Sequence, residues 1–145
     1  MASTAVEQLV SGSKHAAISN LVVRTMSEYT GRGPTRARTY ITDDLVSVVL
    51  QDTLTKGERS LVDEGLAELV LSTRKAYQGT MRHDLISGVE EILGRRVIAF
   101  LSDNNVDPDI AVESFVLAPP GTPPHAGSVD DVAKPPGEAI AGAHS

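Results

Sequence analysis

Cysteine and tryptophan are absent from the 145 residues, and aromatic side chains make up only 3% of them. Without cysteine the chain can have no disulfide framework, thiolate metal site or cysteine nucleophile, which suits a reducing compartment. The four histidines are scattered, and no pair has the spacing of metal ligands on a helix, so we expect no metal site and no cofactor. The hydrophobic core must therefore be aliphatic, at roughly 25 cal/mol per Å² of buried apolar surface.

Long apolar runs and an excess of positive charge are also missing. No stretch approaches the roughly 20 apolar residues that span a bilayer, and the first residues lack the basic start and apolar run of a secretory signal. We therefore expect a cytoplasmic protein without direct membrane insertion. The net charge is −6, whereas nucleic-acid binding needs a positive field over the contact surface, so no nucleic-acid partner is expected.

The composition changes at Pro119. Residues 119–145 hold six of the eight prolines and almost no large apolar side chains, so burial cannot offset the entropy of ordering them. The sequence therefore predicts a folded domain over residues 1–118, followed by a disordered tail rich in Pro, Gly and Ala over residues 119–145. The length fits a single domain with a two-layer core.

The first half of the domain is predicted to be a helix followed by a hairpin. Apolar residues recur at three- and four-residue spacings from Val6 to Tyr29, and Gly31 is well placed to end that helix. Two strands are predicted over residues 36–42 and 45–51, with an Asp-Asp turn between them. Their pairing sets three residues of each strand on the core side, namely Ala37, Thr39 and Ile41 opposite Leu50, Val48 and Val46.

The second half begins at Thr55 and Glu58, which have the S/T-x-x-E spacing of a capping box. After a break near Gly65, a long helix is predicted to end at Gly94. Its apolar stripe is predicted to be core: Leu66, Leu69, Val70, Thr73, Tyr77, Met81, Leu85, Val89, Ile92 and Leu93. A last hairpin is predicted over residues 97–102 and 110–117.

This order, α-β-β-α-α-β-β, predicts an α+β fold. Two hairpins form one antiparallel four-stranded sheet, and the helices cover one of its faces. The strand LVSVVL is apolar on both sides, however, and the helices can cover only one of them. A homo-oligomer, most simply a homodimer, is therefore predicted.

The segment from residue 31 to residue 40 is the strongest candidate for a binding site. Backbone N–H groups of a Gly-x-Gly turn can form an anion-binding nest. Arg32, Arg36 and Arg38 are candidate forked donors to a phosphate or carboxylate, and Tyr40 shares the strand face of Arg36 and Arg38. This pattern favours a site for a small anion or for a partner protein.

The opposite interpretation is that the turn is only a structural joint. It follows the C-terminal end of a helix, where the dipole is negative, unlike the helix N-termini that hold phosphates. In this view Gly31, Gly33 and Pro34 set the chain direction, and the arginines are surface charges. Both interpretations stay open, and no catalytic motif is recognised elsewhere.

Three segments, YTGRGPTRARTYITDDLVSVVLQDTLTKGERSLV, STRKAYQGTM and EEILGRRVIAF, resemble a small bacterial family named for MpsC. The resemblance covers about residues 6–118. That family is described as a component of a sodium-translocating, membrane-potential-generating system and was earlier classed as a domain of unknown function. The resemblance implies a soluble subunit acting beside a membrane protein, and it transfers no catalytic residues.

Three function classes follow. A non-catalytic accessory or regulatory protein of an ion-translocating system needs an apolar docking surface. A small-anion or nucleotide sensor would use the surface of Arg32, Arg36 and Arg38. An enzyme would need a convergent polar site, which the sequence does not assemble, so we expect no enzymatic activity.

Overall fold

The computed structural model describes residues 5–125, in which helices alternate with antiparallel hairpins. The elements are α1 (Ala5–Thr30), β1 (Arg36–Thr42), β2 (Leu45–Gln51), α2 (Lys56–Asp63), α3 (Ala67–Leu93), β3 (Val97–Val106) and β4 (Asp109–Leu117). The strands form one antiparallel sheet in the order β1-β2-β4-β3. The predicted α+β fold and element order are confirmed.

The first hairpin has the predicted register, with Ala37, Thr39 and Ile41 opposite Leu50, Val48 and Val46. The three β2 residues of that set are completely buried. In the turn, Asp43 has a φ of 52°, a left-handed conformation that Asp tolerates better than most residues. The alternation of side chains therefore directs one face of each strand towards the helices.

The core lies between the sheet and the two long helices. Its buried residues come from α1, β2, α3, β3 and β4: Ile18, Leu21, Val22, Met26, Val46, Val48, Leu50, Met81, Leu85, Ile86, Val89, Val97, Phe100, Ala111, Phe115 and Leu117. Where α1 and α3 touch, a Cβ on Gly88 would lie 2.5 Å from Leu21 Cδ2. Only glycine therefore fits at this contact without movement of a neighbour.

The predicted helix ends are also found. Thr55 Oγ1 accepts a hydrogen bond from the Glu58 backbone at 3.1 Å, and the Thr55 backbone donates to Glu58 Oε1 at 2.8 Å, which completes the capping box. Gly31 and Gly94 follow α1 and α3 with φ values of 80° and 64°. Glycine adopts these left-handed angles without steric cost, so each helix ends where the sequence predicts.

The predicted core stripe of α3 is wrong at most positions of its first half, although Val70 is buried as predicted. Leu66, Leu69 and Tyr77 are 46%, 52% and 41% exposed. The side of the helix that is buried there carries Arg74 and Gln78 beside Val70. An apolar stripe predicts the buried side of a helix only if the polar side chains of that helix face solvent. Arg74 and Gln78 do not, because they form hydrogen bonds to side chains on α2 and on the sheet.

The second hairpin is longer than predicted. The chain from Asp103 to Val106 was expected to be a loop, but it continues β3, and only Asp107 and Pro108 separate β3 from β4. A β-bulge interrupts the pairing between Val97 and Ala99. The extension brings Asn104 into line with Ala111 on β4 and so places its side chain within reach of α3.

Most of the predicted tail, residues 126–145, lies outside the described residues. The described part, residues 119–125, runs back along the domain. Arg96 Nε donates to the Pro123 carbonyl at 2.9 Å, and the backbone N–H of His125 donates to Glu90 Oε1 at 3.0 Å. The division of the chain at residue 118 therefore stays a prediction.

Candidate functional site

Five polar side chains from four elements form a buried polar cluster between α3 and the sheet: Glu58, Arg74, Gln78, Asn104 and Glu113. Arg74 donates to Glu58 Oε1 at 3.0 Å and to Asn104 Oδ1 at 3.1 Å. Gln78 and Asn104 exchange two hydrogen bonds, and Gln78 also donates to Glu113 Oε1 at 3.1 Å. Buried polar groups of this kind are costly unless paired, so the cluster holds its members in one arrangement.

Glu113 is the most deeply buried member of the buried polar cluster, and its side chain is completely inaccessible to solvent. Burial raises the pKa of Glu113 to about 7, although neighbouring Ser102, Gln78 and the Arg74 charge all act to lower it. Glu113 Oε2 and Ser102 Oγ have no hydrogen-bond partner among the described residues. A protonated carboxyl could donate to Ser102, which lies opposite Glu113 on β3.

The buried polar cluster is not built to receive a substrate. The gap beside Arg74, Gln78 and Met81 is too narrow to hold a water molecule. Glu58 serves two purposes, because it closes the capping box of α2 and also pairs with Arg74. The cluster therefore ties α2 to α3 and the sheet. Its sequence signal was the spacing of Arg74 and Gln78, which continue the helical period of Met81 and Leu85.

The turn after α1 is fixed within the domain by an ion-pair network. Arg32 lies 2.6 Å from an oxygen of Asp52, and Arg59 bridges Asp52 and Asp109 at 3.1 and 3.3 Å. Desolvation would raise the pKa of Asp52, but interactions with Arg32, Thr35 and Arg59 lower it overall. Arg32, a predicted binding residue, thus joins its turn to the chain between β2 and α2.

The glycines and the proline of this turn have separate structural roles. Gly31 has a positive φ, whereas Gly33 does not. A Cβ on Gly33 would instead lie 3.3 Å from Val23 Cγ1, so close packing against α1 favours glycine there. Pro34 is buried. For residues 31–34, these contacts support the interpretation as a structural joint.

Arg36, Arg38 and Tyr40 lie together, apart from Arg32. With Thr35, Ala37, Val49 and Gln51 they line an open groove of about 530 Å³ along β1, called here the arginine groove. The guanidinium carbon of Arg38 is 5.8 Å from the centre of the Tyr40 ring. Within residues 5–125, neither Arg36 nor Arg38 pairs with a carboxylate. Binding of an anion or a partner in this groove stays a prediction.

The aromatic residues divide sharply between core and surface. Phe100 and Phe115 pack against each other in the core with ring centres 5.1 Å apart. All three tyrosines are exposed, although Tyr29 donates from its hydroxyl to Asp84 at 2.8 Å. Tyr77 shares one side of α3 with Leu69 and with Leu66, the residue that precedes the helix. These three residues are called the α3 stripe.

No group of three or more His, Asp or Glu residues within residues 5–125 could hold a metal ion. In the same part of the chain, no helix is long and apolar enough to cross a membrane. The features that remain are surface features: the arginine groove, the α3 stripe and a sheet face without helices.

These features define a small α+β domain whose helices pack on one face of a four-stranded antiparallel sheet. A family model described as "Na+-translocating membrane potential-generating system (MpsC)" matches residues 10–119. The chain therefore belongs to the MpsC family, as the sequence resemblance predicts. No curated protein and no solved structure gives a significant match.

Proposed function

We propose that the protein is a non-catalytic accessory or regulatory subunit that binds a component of a sodium-translocating membrane system. The family description supplies the system. The observation that carries the binding role is the placement of all three tyrosines and of several large aliphatic side chains at the surface. Tyrosine is enriched in protein interfaces because it combines a large apolar ring with a polar end.

The α3 stripe is the surface that we assign to this contact. Leu66, Leu69 and Tyr77 are each more than two-fifths exposed, and their spacing sets them on one side of the helix. The preceding helix, α2, has no buried residue of its own. It is held to the rest of the domain by the Glu58–Arg74 ion pair and by Arg59, which pairs with Asp52 and Asp109. The α3 stripe therefore presents exposed apolar side chains to a partner, next to a helix that ion pairs hold to the domain.

Co-sedimentation with membrane vesicles tests this proposal. Vesicles are prepared from cells with and without the ion-translocating system, and the purified full chain is added to each. We expect the chain to sediment only with vesicles that contain the system. Leu69→Ser combined with Tyr77→Ser should abolish sedimentation, because both changes remove apolar contact area.

The matched control is Glu68→Ser combined with Lys75→Ser. These two exposed residues lie on the opposite side of α3, and their joint replacement leaves the net charge unchanged. The control variant should sediment like the unaltered chain. Equal sedimentation with both kinds of vesicle, or full binding by the stripe variant, would contradict the proposal.

A second candidate function is a small-anion or nucleotide sensor that uses the arginine groove. It is favoured by the two arginines that lack carboxylate partners there, whereas Arg32 is already paired. Phosphate, bicarbonate or a nucleotide that binds should raise the melting temperature as its concentration exceeds its Kd. Arg36→Ala with Arg38→Ala should remove this shift, and Arg32→Ala should keep it. No shift with any of these anions would reject this candidate.

A further inference from the structure

The face of the sheet that carries no helix, called the helix-free face, has its charges at opposite edges. One cross-strand row runs from Arg38 on β1 through Val49 and Val112 to Asp103 on β3. Both charged side chains are exposed, and the two valines between them are half-buried. The row is therefore positive at one end, apolar in the middle and negative at the other end.

The neighbouring row has large side chains at both of its ends. It runs from Tyr40 through Ser47 and Ser114 to Leu101. Tyr40 and Leu101, at its two ends, are 49% and 50% exposed. Large apolar side chains thus stand at both edges of this row, with small hydroxyls between them.

We propose that the helix-free face binds the same face of a second copy, with the twofold axis parallel to the strands and between β2 and β4. Rotation about this axis places the β1 edge of one copy over the β3 edge of the other. Each cross-strand row keeps its position along the strands, so it faces the same row of the second copy. Arg38 of each copy then faces Asp103 of the other copy. In the neighbouring row Tyr40 faces Leu101, and the two central valines of the first row meet across the axis.

The charges select this axis over its alternative. A twofold axis perpendicular to the strands would place β1 on β1 and β3 on β3, so the arginine-bearing edges of the two copies would adjoin each other, as would the edges that carry Asp103. Like charges that face each other across an interface cost several kcal/mol. Either axis keeps the strands of the two sheets aligned, which is the common arrangement of stacked sheets roughly 10 Å apart, so the charges alone decide between the axes.

The size of the face sets the expected strength of the dimer. Four strands of seven residues cover roughly 19 by 23 Å, from strand spacings of about 4.8 Å and a rise of about 3.3 Å per residue. For the two copies together this is roughly 900 Å², which is below the roughly 1,200 Å² of standard stable interfaces and in the range of weak ones. We therefore expect a dimer that dissociates as the full chain is diluted through the micromolar range. The inference does not depend on the proposed function.

Charge reversal tests both the face and the axis. Sedimentation velocity of the full chain across micromolar concentrations gives the dimer dissociation constant. Arg38→Asp and Asp103→Arg should each raise that constant at least about tenfold, because each creates two like-charge contacts per dimer. The double variant, R38D with D103R, should return to within about threefold of the original value.

The control pair is Arg24→Asp and Glu91→Arg, two exposed residues on the helix layer. These reversals should leave the dissociation constant unchanged. A monomer at every concentration would overturn the proposal. A dimer whose dissociation constant is unchanged by both single reversals would also overturn it. If the dissociation constant of the double variant does not recover, the assigned axis is wrong. Melting curves of all variants should agree within a few degrees, since the altered side chains are exposed.

Discussion

Replacement of Glu113 by Gln is expected to stabilise the protein at pH 8 and to have a smaller effect at pH 5. The glutamine amide keeps the size of the carboxyl group and can accept from Gln78 and donate to Ser102. It removes only the ionisation. Because Glu113 is fully buried, the stability of the unaltered protein should depend on the protonation of this one group.

The sign follows from proton binding. The pKa of Glu113 rises from an ordinary 4.5 to about 7 in the folded protein, so between these values the folded state holds a proton that the unfolded chain has released. Stability that comes from this proton is complete below pH 4.5 and is lost as the pH rises through 7. The full shift corresponds to about 3 kcal/mol, of which about 2 to 3 kcal/mol falls between pH 5 and pH 8.

Urea unfolding followed by circular dichroism at pH 5, 6, 7 and 8 measures this effect. The unaltered protein should lose about 2 to 3 kcal/mol more than Glu113→Gln over that range. Glu91→Gln, at an exposed carboxylate of the same long helix, should follow the unaltered protein. Identical pH slopes for the unaltered protein and Glu113→Gln would show that Glu113 is ionised in the fold, and the reasoning would be refuted.

Two further predictions concern packing. Gly88→Ala should destabilise by up to about 2 kcal/mol in urea unfolding, because its Cβ displaces the packed Leu21 side chain and this cost exceeds the gain of about 1 kcal/mol in helix propensity. Gly12→Ala, where a Cβ meets no atom within 4 Å, should be neutral or stabilising by up to about 1 kcal/mol. Equal effects would contradict the close contact. A chain that ends at Ala118 should have a lower melting temperature than one that ends at His125. Its buried Glu90 loses two hydrogen-bond donors from His125, at a cost of about 1 to 3 kcal/mol. Equal melting temperatures would show that residues 119–125 are dispensable for stability.

Local rules were sufficient to predict the hairpin and the helix ends. The register of β1 and β2 follows from the alternation of core-facing and outward-facing side chains and from the two-residue turn. The alternation and the turn each depend on residues that are close in the chain. The same holds for the capping box of Thr55 and Glu58 and for the glycines that end α1 and α3. Each of these features is decided by residues within a few positions of one another.

Features that depend on distant residues were not predicted. The buried polar cluster joins α3 to Asn104 and Glu113, which lie 26 to 35 positions from Gln78. The partner of Arg32 is Asp52, on the far side of the first hairpin. A single sequence does not show which polar groups meet across such separations, so burial of α3 was assigned to its apolar stripe instead.

The central claim, that the chain acts as a binding subunit of an ion-translocating system, is tested most directly by the sodium-dependent membrane potential. Membrane vesicles from cells that carry the system but lack this chain are assayed with a voltage-sensitive dye. Addition of the full chain should restore the potential, and so should Glu68→Ser with Lys75→Ser. Leu69→Ser with Tyr77→Ser should fail to restore it. An equal potential with and without the added chain would contradict the account.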